Sequence, residues 1–237
     1  MGKRAIRMGI DVGGTHTKAV AIDNRTHEII GKSSVKTTHD HPAGVAAGVV
    51  EVFEKCLKDS NINPDEVIFV AHSTTQATNA LIEGDVANVG VVGMSGGGLE
   101  GFLARRQLRI PNIELASGRQ IKVFNTYIPQ KKLSKDTVEF EIKSLKDRGA
   151  EVIVASMAFG VDSIKDEQFV HQVVSELGLP ATMASEITKL YGLTRRTRTA
   201  VINASILPKM FETANSTEQS VRNAGVKVPL MIMRGDG

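Results

Sequence analysis

Two apolar runs near the start of the chain, joined by a glycine turn, constrain its fold more than any other feature. Residues 5–11 end in an aspartate, Gly13-Gly14-Thr15 follows, and residues 17–23 form the second run. Apolar runs on both sides of paired glycines predict a β-hairpin. Glycine reaches positive φ without strain, and consecutive backbone N–H groups in such a turn form an anion-binding nest.

The residues around this turn favour a phosphate site over an ordinary hairpin. Threonine hydroxyls add hydrogen-bond donors, and a single carboxylate suits Mg²⁺, which keeps most of its waters when bound. We therefore expect Asp11 to serve as the catalytic carboxylate and the Mg²⁺ ligand. We expect nucleotide phosphates to contact Gly13, Gly14, Thr15 and Thr17. A glycine turn alone occurs in many hairpins that bind nothing, so the prediction depends on the aspartate and the threonines together.

Alternating strands and helices predict an α/β protein. Three consecutive strands are expected first, over 5–11, 17–23 and 28–36. Later strands are expected over 65–71, 86–92, 151–155, 181–184 and 229–233, and helices over 42–59, 76–83, 134–148, 163–177 and 199–224. Pro208 predicts a kink or a break in the last helix, and the glycines of 94–99 predict a flexible loop. Three strands followed by alternating helices are the order of a ribonuclease-H-like mixed sheet with flanking helices.

Composition narrows the class of protein. The chain of 237 residues is 41% hydrophobic and 23% charged, with a net charge of +3, as is usual for a globular protein of one or two domains. Aromatic residues make up 4% and Trp is absent, which argues against base-stacking nucleic-acid modules. Neither a membrane span nor a signal peptide is recognisable. With Cys56 as the single cysteine, no internal disulfide forms, and we expect a cytoplasmic protein without nucleic-acid or membrane partners.

A second polar motif follows the strand predicted at 65–71. Hydroxyl and amide side chains crowd the turn into the next helix, at Ser73, Thr74, Thr75, Thr78 and Asn79. Such residues cap helices, and capping alone is the structural explanation. The free N–H groups of a helix N-terminus also attract anions. We expect this turn to face the same cleft and to bind substrate or phosphate through Thr74, Thr75, Thr78 and Asn79.

Together the two motifs resemble the N-terminal region of the hydantoinase/5-oxoprolinase family, which shares the superfold of actin and the sugar kinases. The resemblance rests on Asp11-Val12-Gly13-Gly14-Thr15-x-Thr17 and Ser73-Thr74-Thr75-x-x-Thr78-Asn79-Ala80, and it extends to 185–187, 196–204 and 229–237. It implies an actin-like ATPase fold with ATP and Mg²⁺ as cofactors. It also implies ATP-dependent opening of a cyclic amide, such as a hydantoin or 5-oxoproline, by phosphorylation of the amide oxygen, or carboxylation in related branches.

The resemblance divides the chain into an N-terminal domain over 1–195 and the beginning of a second, hydantoinase A-like domain over 196–237. It implies a second phosphate turn at Gly235, Asp236 and Gly237, beyond which family members continue. We therefore expect the remaining part of the enzyme or a second subunit as a partner. An isolated half of a cleft leaves phosphates in water, where each contact is weak. We expect the chain alone to bind ATP weakly, to turn over no cyclic amide and to form homo-oligomers through an exposed apolar face.

Several residues stay open to more than one interpretation. Lys18 stands where family members usually have an aspartate, and it is either solvated or in contact with phosphate. The histidines His39, His41 and His72 are weighed as metal ligands but lack a third ligand at fixed spacing. The basic cluster 195–198 is expected to be a solvated surface. Ser95 lies in a G-x-S-x-G pattern, but an esterase is disfavoured because no helix is predicted after it and no partner histidine has a clear place.

Two other functions fit the same features. A small-molecule kinase of the sugar-kinase type shares the glycine turn, although one cysteine cannot supply the zinc cluster that many such kinases carry. A non-catalytic ATP-binding regulator also fits. ADP release from ATP, measured with a hydantoin, 5-oxoproline or a hexose, separates the three functions.

Overall fold

A computed structural model describes residues 4–38, 41, 44–73 and 75–233, without the side chains of Gln76 and Ser117. The chain forms two compact units. The first unit comprises Met1–Ala80 and Met210–Gly237, and the second comprises Leu81–Lys209. This division differs from the boundary expected at residue 196, which concerns the regions of a longer protein and stays a prediction.

The first unit is built on a five-stranded mixed sheet. Its strands are β1 (Ile6–Val12), β2 (His16–Asp23), β3 (Ile29–Lys36), β4 (Val67–His72) and β11 (Leu230–Ile232), in the order β11-β4-β1-β2-β3. The pairs β1/β2 and β2/β3 are antiparallel, whereas β4 lies parallel to both β1 and β11. The expected ribonuclease-H-like sheet, with three antiparallel strands at the start, is therefore confirmed.

The first long helix covers the core of this sheet. Helix α1 (Val45–Asp59) repeats apolar residues at helical spacing, and this face is buried against the strands. Val49, Val52, Phe53 and Cys56 on α1 pack in one cluster with β1, β2 and β4. Val221 and Val226 join the same cluster from the far end of the chain. Residues distant in sequence therefore complete the core of the first unit.

The second unit contains a parallel sheet of four strands. These strands are β5 (Val89–Ser95), β8 (Val123–Pro129), β9 (Val152–Met157) and β10 (Ala181–Met183), in the order β10-β9-β5-β8. The central strands β5 and β9 are buried along their whole length, as continuous apolar runs in parallel sheets require. A small antiparallel pair, β6 (Ile113–Glu114) and β7 (Gln120–Ile121), lies apart from this sheet.

Helices flank these strands throughout. They are α2 (Thr75–Glu83), α3 (Gly98–Gln107), α4 (Lys135–Asp147), α5 (Lys165–Glu176), α6 (Ala184–Ile187) and α7 (Leu193–Asn223). Ser134 caps α4, because its hydroxyl accepts a hydrogen bond from the N–H of Thr137 at 3.3 Å. Helix α7 continues through Pro208, so the expected break does not occur. Among the described residues, no helix has both the length and the apolar character needed to cross a bilayer.

Two further expectations from the sequence were wrong. The glycine-rich segment 94–99 is not a loop, because β5 extends to Ser95 and α3 already begins at Gly98. A helix therefore does follow the G-x-S-x-G pattern. Ser95 is nevertheless fully buried, and its hydroxyl lies 2.6 Å from the Tyr127 hydroxyl, so it is not an exposed nucleophile. Arg196 is also fully buried, although the basic cluster 195–198 was expected to be a solvated surface.

Candidate functional site

The glycine turn joins β1 to β2 at one edge of the sheet. The last residue pair of the hairpin is Val12 with Thr17, and the N–H of Gly13 donates to the carbonyl oxygen of His16 at 3.1 Å. A Cβ added to Gly13 would lie 3.0 Å from that carbonyl oxygen, so a side chain at this position would require the turn to shift by a few tenths of an ångström. The tips of the turn, Gly14 and Thr15, are exposed to solvent.

Two buried threonines brace this turn from beneath. The Thr37 hydroxyl donates to the Gly13 carbonyl oxygen at 2.7 Å and lies 3.2 Å from the Thr17 hydroxyl. The backbone N–H of Thr37 donates to the Thr15 carbonyl oxygen at 3.0 Å. Thr17 is fully buried, so its hydroxyl holds the turn in shape. Direct contact of Thr17 with a phosphate stays a prediction.

The carboxylate of Asp11 brings the two predicted motifs together. The hydroxyl of Ser73 donates to Asp11 Oδ1 at 2.5 Å, and the hydroxyl of Thr75 donates to the same oxygen at 3.0 Å. These two hydroxyls lie 3.4 Å apart. The described residues offer no hydrogen bond to Asp11 Oδ2, so one carboxylate oxygen stays available to a ligand.

Strand pairing explains why these residues meet. Strands β1 and β4 are parallel neighbours, with Ile10 paired to His72, so their carboxyl ends reach the same edge of the sheet. The N–H of Ser73 donates to the Ile10 carbonyl oxygen at 2.9 Å and extends this pairing by one residue. Ligands of open α/β sheets bind beyond the carboxyl ends of strands, which is where Asp11 and Ser73 lie.

His72 is buried directly beneath this edge. Its side chain is 1% exposed, and neither ring nitrogen has a hydrogen-bond partner among the described residues. Burial lowers the pKa of His72, although the nearby Asp11 carboxylate pulls it upward. The described part of the chain contains no group of three or more His, Cys, Asp or Glu side chains that could hold a metal ion. His72 thus packs as a buried side chain at this edge of the sheet.

The other predicted site residues fall into two groups. Thr78 is exposed on α2, and Asn79 beside it is half-buried. Several predicted residues lie outside the described residues, namely His39, Thr74, Gly235, Asp236 and Gly237. Their predicted roles stay predictions, as do those of Gly14, Thr15, Thr78 and Asn79.

The oxygen donors at this edge fit a hydrated Mg²⁺ with a bound phosphate. Mg²⁺ binds proteins through one or two carboxylates and keeps several waters, and Asp11 presents one carboxylate with a free oxygen. The first turn of α2 supplies backbone N–H groups of the kind that bind phosphate. The N–H of Gly13 already donates to His16, so contact of the glycine turn with phosphate stays a prediction. Lys18 is exposed and is paired directly with Asp11 across the hairpin, so it adds a positive charge beside the carboxylate.

A second polar cluster, which the sequence did not reveal, lies in the second unit. Glu167 on α5 is fully buried, and its carboxylate accepts hydrogen bonds from the N–H groups of Met157 and Ser185, both at 2.9 Å, and from the Ser185 hydroxyl. Burial raises the pKa of Glu167, and these hydrogen bonds oppose the rise. The guanidinium of Arg196 donates to the carbonyl oxygens of Met157 and Leu190, both at 2.7 Å.

This buried cluster joins β9 to α5, α6 and α7 through side-chain hydrogen bonds. The segments 185–187 and 196–204 had been noted only as stretches of resemblance. A glutamate in an amphipathic helix gives no signal in the sequence of whether it faces water or the core, so the cluster was not foreseeable. The hydrogen bonds of Glu167 all go to groups within the second unit, which indicates a structural role.

Comparison with known proteins places the chain in a family. The family described as "Hydantoinase/oxoprolinase N-terminal region" matches residues 7–178, and the one described as "Hydantoinase/oxoprolinase" matches residues 196–237. The acetophenone carboxylase gamma subunit of Aromatoleum aromaticum is 24% identical over 257 residues, an alignment that covers 96% of this chain and 35% of that protein. The chain therefore spans about a third of the length of this relative.

Two solved structures share the fold. The nucleotide-free structure of an acetone carboxylase superposes with a TM-score of 0.66 at 18% identity, covering 97% of this chain and 36% of that one. The ATP-dependent caprolactamase from Pseudomonas jessenii superposes with a TM-score of 0.63 at 19% identity, covering 95% of this chain and 35% of that one. These matches confirm the actin-like ATPase fold expected from the sequence.

Proposed function

The chain belongs to the hydantoinase/oxoprolinase family, and on that premise we propose that it supplies a phosphate-binding part of an ATP-dependent enzyme. One observation carries the proposal. Asp11, at the end of the first strand, receives hydrogen bonds from Ser73 and Thr75 beside a tight glycine turn. This arrangement gathers a carboxylate and two hydroxyls beside a tight backbone turn at one edge of the sheet, a set of groups suited to Mg²⁺ and phosphate.

Each residue has a distinct part in the proposed site. When bound, Mg·ATP supplies the phosphoryl group and the cation that neutralises its charge. Asp11 would hold the cation through Oδ2, while Ser73 and Thr75 fix the orientation of the carboxylate. Phosphate oxygens would lie against the glycine turn and the first turn of α2, and the buried pair Thr17 and Thr37 keeps the glycine turn in shape.

We propose a cyclic amide, such as a hydantoin or 5-oxoproline, as the substrate. An amide carbonyl is a poor electrophile, and transfer of a phosphoryl group to its oxygen makes the carbon open to attack by water. The caprolactamase, whose name denotes hydrolysis of a cyclic amide, supports this choice. The remaining part of the enzyme or a second subunit would complete the cleft.

Carboxylation of a carbonyl substrate is the second candidate. Two of the three similar proteins described above are named as carboxylases, one for acetone and one for acetophenone. Both candidates use ATP, and they differ in whether water or a carbonate species is consumed. ADP release by the complete enzyme is therefore measured with 5-oxoproline or hydantoin, and separately with a ketone and bicarbonate. If only hexoses stimulated ADP release, the result would contradict both candidates and indicate a kinase.

The phosphate site itself is tested on this chain by nitrogen-15 NMR during titration with Mg·ATP. We expect the amide signals of Gly13, Gly14 and Thr15 to shift. Asp11→Asn keeps the side-chain size but removes the charge, and it should weaken the Mg²⁺-dependent binding roughly tenfold. The control Asp147→Asn removes an exposed carboxylate on α4 and should change nothing. Shifts confined to other residues, or equal affinity in Asp11→Asn, would contradict the site.

A further inference from the structure

Strand β8 is the outermost strand on one side of the sheet in the second unit. It pairs with β5 on its inner side, from Val89 with Val123 to Ser95 with Pro129. The sheet order ends at β8, and no described strand pairs with its other side. An edge strand of this kind presents a row of backbone N–H and C=O groups to any chain that approaches it.

The hydrogen bonds at this edge show which backbone groups point outward. The N–H of Val123 donates to Asn112 Oδ1 at 2.9 Å, and the Asn125 carbonyl oxygen accepts from the Arg148 side chain at 3.2 Å. Backbone groups alternate between the two sides of a strand, so those of Tyr127 also face outward. The N–H of Asn125 and both backbone groups of Tyr127 have no partner outside the sheet among the described residues.

A cavity of about 700 Å³ lies along this edge. It is lined by α3, β8 and α4, and its main side chains are Phe102, Arg105, Arg106, Arg109, Tyr127 and Glu141. Phe102 is 70% exposed, which is unusual for a phenylalanine on a helix of a folded unit. The cavity therefore combines an open strand edge, an exposed aromatic ring and three positive charges.

The three arginines at this edge have no acidic partner in the part of the chain that the structure describes. The guanidinium of Arg105 lies over the Tyr127 ring at 5.2 Å, and no described carboxylate forms an ion pair with Arg105, Arg106 or Arg109. Glu141 is the one acidic residue that lines the cavity, and its carboxylate already accepts a hydrogen bond from the Thr126 hydroxyl. The unsatisfied groups of this edge are thus cationic side chains and backbone amides.

We propose that this edge of β8 binds an extended acidic segment of a partner protein by strand addition. The backbone of the segment would pair with the N–H of Asn125 and with both backbone groups of Tyr127, and its carboxylates would pair with the guanidinium groups of Arg105, Arg106 and Arg109. Guanidinium forks bind carboxylates in two parallel hydrogen bonds, and arginine and aromatic residues are enriched in the buried parts of interfaces. The amide of Asn125 is already bonded to the backbone of Ile110, so recognition depends on the backbone edge and the arginines.

The probe is a fluorescent peptide of about seven residues with alternating glutamate and valine, titrated into the full chain by anisotropy. Its backbone can add to an edge, and its carboxylates lie on one face every second residue. The combined variant Arg105→Gln, Arg106→Gln and Arg109→Gln should weaken binding about tenfold or more. A matched control, Lys146→Gln, Lys165→Gln and Lys189→Gln, removes the same charge from exposed residues outside the cavity and should bind as the original chain does.

A second peptide separates strand addition from simple charge attraction. It has the same sequence with N-methyl groups on alternate residues, which block backbone pairing and leave the carboxylates in place. We expect it to bind at least about tenfold more weakly, and only the unmodified peptide should slow hydrogen exchange at the Tyr127 amide. Equal binding of both peptides would overturn the proposal in favour of a general anion site. No binding up to about 1 mM would show that the arginines only shield the edge from aggregation.

Discussion

Among single residues, His72 sets a pH dependence for the first unit. Burial lowers its pKa in the folded state, whereas in the unfolded chain it titrates near the ordinary value of about 6.5. Between these two values the unfolded state binds more protons. The free energy of unfolding should therefore be highest above about pH 6.5 and should fall as the pH drops through this window.

This prediction is checked by urea unfolding at several pH values between 7 and 5. The variant His72→Leu removes the titrating ring, so its stability should change less over this range than that of the original chain. His16→Gln, which replaces an exposed ring on β2, should keep the original pH dependence. If the stability of His72→Leu fell with pH as steeply as that of the original chain, another group would be responsible for the pH dependence.

At the same scale, parallel pairing of β1 and β4 brings the two predicted motifs together, while the binding roles of their residues stay predictions. Asp11 and Thr75 were expected in a common cleft, and they are in fact in direct contact. Contact of Thr17 with phosphate stays a prediction. In this structure its side chain is buried, and its hydroxyl lies beside that of Thr37. Thr37, whose hydroxyl is the partner of Thr17, directly follows β3, and no local pattern links two residues that far apart in sequence. Long-range contacts of this kind depend on strand register, which single-sequence patterns do not fix.

Among the elements, helix α3 depends on a close approach of two backbones. A Cβ added to Gly101 would lie 2.5 Å from the Gly96 carbonyl oxygen, and a backbone atom cannot turn away as a side chain can. We expect Gly101→Ala to lower the free energy of unfolding by about 1–3 kcal/mol. Gly192→Ala is the control, because a Cβ added there would lie 3.8 Å from its nearest neighbour, the Arg195 side chain. It should lower the melting temperature much less than Gly101→Ala does. Equal melting temperatures for the two variants would contradict this account.

The buried hydrogen bonds of Glu167 give a second prediction for the elements. Glu167→Ala would leave the N–H groups of Met157 and Ser185 buried without acceptors, and each such group costs about 1–3 kcal/mol. We expect a loss of stability of about 3 kcal/mol or more, measured by urea unfolding. Glu176 lies on the same helix as Glu167 and forms an exposed ion pair with Lys135 on α4. Glu176→Ala removes this ion pair and should lower the free energy of unfolding far less. A small loss of stability in Glu167→Ala would mean that water replaces the carboxylate as the acceptor of these hydrogen bonds.

The elements themselves were mostly predictable. Helix α4 and its cap at Ser134 match the sequence pattern, because an amphipathic repeat follows a capping residue. Helix α3 was missed for a physical reason. It starts in consecutive glycines and exposes Leu99, Phe102 and Leu103, so it lacks the one-sided apolar pattern that marks most helices.

For the whole molecule, the two compact units should differ in their ability to fold alone. The second unit is continuous, from Leu81 to Lys209, and contains its own sheet and apolar clusters. We expect residues 81–209, expressed alone, to unfold cooperatively in thermal melts. Residues 1–80 alone should not, because β11 and the core residues Val221 and Val226 are then missing. A cooperative transition in residues 1–80, or its absence in residues 81–209, would contradict this division.

The pairing of β4 with β11 also has a consequence during synthesis on the ribosome. Strand β4 emerges early, yet Leu230, which pairs with Val70, is translated roughly 160 residues later, which takes about 10–30 s at usual translation rates. Throughout that time the nascent β4 has an open edge, while residues 81–209 have already emerged and can fold. We therefore expect residues 81–209 to fold before β4 gains its second neighbour, and an open strand edge can pair with other chains until translation reaches β11.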